Sequence, residues 1–155
     1  MPTPDETSPK YTPTEDDLTE VGDEEWLLRR FLTDSGKWNP VKKLPQIQSL
    51  IPTKSDLNGV SLNREGDRFL NAEQAIALGS EKMRTTGGIF AIQASVFGAQ
   101  RLTLKPDGEG SPGHVLVEGL SRPLYDADNE KMRQLIDRLL RHVVMRRYPG
   151  ESISS

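Results

Sequence analysis

The stretch GIFAIQASVF, residues 88–97, limits the fold more than any other part of the chain. Phe90, Ile92, Ala94 and Val96 alternate with Ile89, Ala91, Gln93 and Ser95, and this period of two predicts the best β-strand in the sequence. The C-terminal third carries a different period. Met132, Leu135, Ile136, Leu139, Leu140, Val143 and Val144 fall at i, i+3, i+4, i+7, i+8, i+11 and i+12, which predicts an amphipathic helix over roughly 126–147, suited to lying across a sheet. Asp126, Asp128 and Glu130 open that helix and Arg141, Arg146 and Arg147 close it, as the helix dipole favours.

The remaining apolar residues come in short runs. EEWLLRRFL, residues 24–32, reads as a strand with Leu27, Arg29 and Phe31 on one face and Trp26, Leu28 and Arg30 on the other. Prolines 40, 45 and 52 break the next segment, leaving room for one helical turn between Gln46 and Leu50. Asn58–Gly59 forms a tight turn into a strand through Asn63. Asn71 is an N-cap with Gln74 at the capping-box position, and Gly79 stops that short helix. QRLTL and GHVLVEGL supply two more strands, joined by the glycine- and proline-rich loop KPDGEGSPG, whose tip is expected to be mobile. Strands with separate helices and no internal repeat predict an α+β fold. The expected form is a small, mostly antiparallel sheet with a long C-terminal amphipathic helix packed on it and a short helix between strands.

Charge divides the chain. Residues 1–25 hold nine acidic residues and one lysine, a net of −8, whereas the remaining 130 hold 19 basic and 14 acidic residues, a net of +5. With almost no large apolar residue, the first 25 are expected to be a disordered acidic arm, with one α+β domain over residues 26–150 and a disordered tail at 151–155. The arm is a solubilising leader, or it shields a basic surface or engages a protein partner. The absence of cysteine excludes disulfides, thiolate chemistry and Cys-ligated metals, and with only His114 and His142 no metal site is expected. No apolar run approaches the ~18 residues of a bilayer span, and the acidic, proline-rich start is unlike a signal peptide, so the expected location is cytoplasmic, away from membranes.

No phosphate-binding glycine loop, Gly-x-Ser-x-Gly elbow, His-Glu-x-x-His or EF-hand is present. The candidate residues are polar side chains that punctuate strands. Arg29 and Arg30 either meet solvent or grip an anion, and strand alternation allows only one of them to face a cleft. Ser61 faces away from Val60 and Leu62 and has no base nearby in sequence. His114 shares a face with Leu116 and Glu118; histidine and carboxylate stand about 13 Å apart along the strand, too far to pair but able to line one groove. The arginines of the C-terminal helix could meet nucleic acid, though acidic residues are mixed among them and no aromatic residue interleaves.

The order LLRRF, DLNGVSLNRE, NAEQAIAL, GIFAIQASVF, RLTLKPD and GHVLVEGL looks like that of a group of small bacterial proteins, over about residues 26–120. It is similar to compact ADP-ribosyltransferase-fold toxins. The resemblance implies an effector that uses NAD on a macromolecular target, with Arg29 or Arg30 on the NAD phosphate or ribose. Ser61 would take the second motif, and His114 or Glu118 the third. Anchored phosphates and a nearby polar group would stabilise the charge that builds as nicotinamide leaves. The chain departs from that family in having no Glu-x-Glu or Gln-x-Glu motif. Two other readings stay open: a non-catalytic interaction module or subunit of a bacterial or phage assembly or defence system, and a nucleic-acid binder acting through the arginine-bearing helix.

Overall fold

A strand that carries Leu27 and Phe31 on one face and Leu28 on the other has to be covered twice, and the chain is arranged to do this. The computed structural model describes residues 11–151. In chain order its strands are β1 (Trp26–Phe31), β2 (Trp38–Asn39), β3 (Leu44–Pro45), β4 (Val60–Arg64), β5 (Gly88–Gln93), β6 (Leu104–Pro106), β7 (His114–Val117) and β8 (Val144–Arg147). The helices are α1 (Ala72–Ala77), α2 (Glu81–Thr86), α3 (Ala94–Ala99), α4 (Arg122–Ala127) and α5 (Asn129–Leu140). Six strands form one sheet in the order β6-β7-β4-β1-β5-β8, and every pairing is antiparallel. β2 and β3 form a separate small hairpin. The fold is α+β, as expected.

The main core lies on one face. Leu27, Phe31, Leu62, Phe90 and Val117 of the sheet pack there with Phe97 of α3 and with Met132, Ile136 and Leu139 of α5. A smaller core on the other face joins Leu28, Ile89 and Ala91 to Leu70, Ala75 and Ile76. The helix α1 over this smaller core starts at the capping box read from sequence: Asn71 accepts from the Gln74 amide and Gln74 from the Asn71 amide.

Three elements differ from the sequence reading. The strand expected through Phe97 ends at Gln93, because its partner β1 begins at Trp26, opposite Gln93. Beyond that point the chain turns into α3, which buries Ala94 and Phe97 three residues apart. The next strand consequently starts at Leu104 and not at Gln100, after a turn in which Arg101 adopts φ 60°. The single long helix expected over 126–147 is three elements. Asp128 caps the amide of Lys131 to begin α5, and Val144–Arg147 leave the helix to pair with β5. The edge of β5 would otherwise expose a row of unpaired backbone groups, and β-branched Val144 suits the strand that covers it.

The acidic leader also differs within the described residues; residues 1–10 and 152–155 lie outside them. Residues 11–25 lie against the sheet. Asp17, 1% exposed, accepts from the Tyr11 hydroxyl at 2.6 Å, the Thr14 amide at 2.8 Å and the Gly113 amide at 2.8 Å. Arg64, also buried, holds Glu25 in a two-bond pair at 2.7 Å and donates to the carbonyls of Asp16, Thr19 and Glu20. The loop expected to be mobile is tied at its base. Asn63 donates to the Ser111 hydroxyl and the Pro112 carbonyl, and Asp17 takes the Gly113 amide.

Burial pushes Asp17 and Glu25 upward, but their hydrogen bonds outweigh it, chiefly from Tyr11, Thr14 and Gly113 for Asp17 and from Arg64 and Gly22 for Glu25. Both therefore sit below the ordinary carboxylate range. A carboxylate whose folded pKa is depressed contributes stability above its unfolded value, about pH 4, and loses it as pH falls through the folded value. Relative to its intrinsic rate at each pH, hydrogen exchange at the Gly113 amide is expected to be slow at neutral pH and to quicken below about pH 4. Asp17→Asn is expected to quicken it already at neutral pH. Protection that is unchanged in the variant would show that Asp17 does not hold the segment.

Candidate functional site

β1 and β4 are paired only at Leu27 with Arg64 and Leu28 with Asn63. Past Leu28, β1 stays on β5 as far as Phe31, while β4 stays on β7 from Asn63 back to Val60. The two central strands thus part company, and a seam opens between them at Arg29, Arg30 and Phe31. A side chain replaces the missing ladder: Arg29 donates from its Nη1 to the Ser61 carbonyl at 3.0 Å and from its Nε to the Ser49 carbonyl at 3.2 Å. Arg30, on the face of Leu28, donates to the carbonyl of Ala75 in α1 at 3.2 Å.

Both arginines line a groove of about 340 Å³ with Lys37, Gln48, Thr53 and Met83. Alternation had allowed only one of them to face a cleft; the seam removes that restriction, because at a splayed sheet end the two faces communicate. Both side chains are half-buried. Burial holds the Arg29 guanidinium below the usual arginine range, with Asp56 opposing and Arg30 adding to the shift, and burial alone lowers Arg30. Among the described residues neither has a carboxylate within salt-bridge distance, and the Oε1 of Gln48 in the same groove is buried without a hydrogen-bond partner. Arg64 is matched by Glu25, and Arg146 by Glu65 at 2.7 Å, whereas Arg147, buried at the sheet edge, donates only to the carbonyls of Arg84 and Glu151.

Ser61 and His114 point to the same sheet face as Arg30, since Val60, Leu62, Val115 and Val117 fill the opposite core. They line a neighbouring groove of about 350 Å³ with Asp56, Glu109 and Leu116. Gly59 in its wall has φ 148°, and a Cβ there would strike the Val117 carbonyl, so the turn needs glycine. The structure therefore brings Arg30, Ser61 and His114 onto one face of three neighbouring strands. It leaves Glu118 out: β7 ends at Val117, and Glu118 is exposed beyond it, lining neither groove, with its amide on Thr103.

Asp107 was not read from sequence. Its Oδ1 lies 2.6 Å from His114 Nδ1, which fixes the ring and directs Nε2 away from the carboxylate. The two residues flank the β6–β7 loop, and only the hairpin register joins them. Ser61 pairs with Leu116 and is a diagonal neighbour of His114, a separation of about 7–8 Å between backbones, and no direct hydrogen bond joins the two side chains. The arrangement can hold an anion on the arginines and place a hydroxyl and an oriented imidazole beside it. No family model, no curated protein and no solved structure matches the chain.

Arginines held for a ligand and arginines held for the fold respond differently to removal. Arg30→Met is expected to leave the urea midpoint unchanged or raise it, because it deletes a desolvated, unmatched charge. Arg64→Met strands Glu25 and three carbonyls and is expected to cost about 3–5 kcal/mol. Comparable losses in the two variants would place Arg30 among the structural residues.

Proposed function

We propose that the protein binds a phosphorylated small molecule at the seam between β1 and β4, with NAD as the ligand that the family resemblance implies. One observation carries this reading: two adjacent guanidiniums share a groove with no carboxylate in salt-bridge contact among the described residues. A desolvated cation left unmatched costs stability, and an anionic ligand supplies the missing partner. Each guanidinium keeps donors beyond those it gives to backbone carbonyls, and paired N–H groups suit phosphate oxygens. The groove's volume lies at the small end of ligand pockets, sufficient for a pyrophosphate with a fragment of its sugar.

In its catalytic form this reading is ADP-ribosyl transfer to a macromolecule, as expected of an effector or toxin. NAD supplies the chemistry through its nicotinamide leaving group. Arg29 and Arg30 would hold the phosphates, and Ser61 and the His114–Asp107 pair would orient the sugar next door. Asp56 and Glu109 line the same groove and would take the role that the resemblance gives to Glu118.

Isothermal titration with NAD, ADP-ribose and inorganic pyrophosphate tests the binding. At least one is expected to bind, with affinity lowered about ten-fold or more in Arg29→Gln/Arg30→Gln, a loss of roughly 1.4 kcal/mol or more. Binding of none of the three, or binding that the double variant retains, removes the proposal. Nicotinamide release by the wild type that disappears in His114→Ala identifies the catalytic form; binding without release identifies a non-catalytic module.

A further inference from the structure

A second recess lies between the outer side of α5 and the β2–β3 hairpin. Two cavities of about 490 and 450 Å³ run together there, sharing Ile47, Asp137 and Arg141. Leu44, Ile47 and Leu140 supply an apolar floor. Lys42, Arg133, Arg138 and Arg141 stand along the rim, four cations against the single carboxylate of Asp137. That carboxylate is already engaged by Arg141 at 2.9 Å, and Arg138 reaches only the neutral Gln100. Next to the recess the hairpin presents Val41, 90% exposed, and Leu44, 45% exposed. Apolar side chains displayed beside a concave, positively charged surface are the arrangement of an interaction site.

We infer that this recess docks an acidic amphipathic helical segment of another protein. Charge complementarity is the first reason, since the rim carries a net +3. Spacing is the second: Arg133, Asp137 and Arg141 recur every fourth residue, so the two arginines stand about 12 Å apart along α5, close to two helical turns. A partner helix with carboxylates two turns apart meets that spacing, and its apolar stripe meets Leu44, Ile47 and Leu140. Nucleic acid fits less well. Asp137 interrupts the cations, the floor between them is apolar, and no aromatic residue lines either cavity to stack a base.

Fluorescence anisotropy with the full chain tests the assignment. The probes are a labelled peptide with leucine at i, i+3, i+4 and i+7 and glutamate elsewhere, its lysine counterpart, and single-stranded RNA and duplex DNA. The glutamate peptide is expected to bind, about ten-fold more weakly to Arg133→Glu/Arg138→Glu and to Leu44→Ser, and equally well to Arg29→Gln/Arg30→Gln. All three substituted rim and floor residues are exposed, and unchanged thermal midpoints confirm folding. Failure of the glutamate peptide to bind, or equal binding of the lysine peptide, overturns the inference. So does binding of RNA or DNA that the arginine variant loses and Leu44→Ser keeps, an outcome that makes the surface a phosphate-binding face.

Discussion

The sharing of β1 between two cores is the constraint on which the rest of the structure depends. Leu27 and Phe31 belong to the large core under α5, and Leu28 belongs to the small one under α1. A strand used on both faces cannot send a charged side chain straight out from its middle into water. Arg29 and Arg30 follow Leu28 directly, so their charge can be accommodated only where the sheet gives way. The parting of β1 and β4 provides that place, and the arginine groove follows from the burial of the strand.

The arginines of the two central strands consequently contrast. Arg64 sits where β1 and β4 are still paired, is 3% exposed, and is matched by Glu25 and by carbonyls of the N-terminal segment. The pair Arg29 and Arg30 sits two residues further along β1 and hydrogen-bonds only to carbonyls, with Asp56 acting on Arg29 from beyond salt-bridge distance. The two sets lie on neighbouring strands and differ in whether a carboxylate was brought into contact with them. A buried ion pair is weak evidence for extra stability, but an unpaired buried charge is a cost that calls for a reason.

Local signals in the sequence carried a good part of this. Strand parity placed Leu27, Leu28, Val60 and Leu62 on the correct faces and set Ser61 and His114 opposite the core residues of their own strands, but only the strand registers bring them to the face of Arg30. The capping box at Asn71 is a contact between neighbours in sequence and was readable as such. What escaped was non-local. Ala94–Phe97 alternates as well as Phe90–Gln93 does, and only the length of β1 decides that one is helix and the other strand. Val143 and Val144 fit the helical stripe of α5, yet the free edge of β5 claims Val144 for a strand. Parity likewise assigned Glu118 to the face of His114, but parity lapses where β7 stops. The seam and the Asp107–His114 pair depend on registers that no short window contains.

The hydrogen bond from Gly113 to Asp17 joins residues 96 positions apart in the chain. It ties the base of the β6–β7 loop, which also carries Asp107 and Glu109, to a segment that precedes the first strand. During synthesis Asp17 leaves the ribosome long before Gly113 exists, so the acidic segment waits for its seat and closes on it late, as contacts of large loop length do. The wall of the Ser61–His114 groove is therefore finished by a segment synthesised well before it. Anything attached near Tyr11, whether a purification tag or a fused domain, pulls on that wall although it is distant from it in sequence.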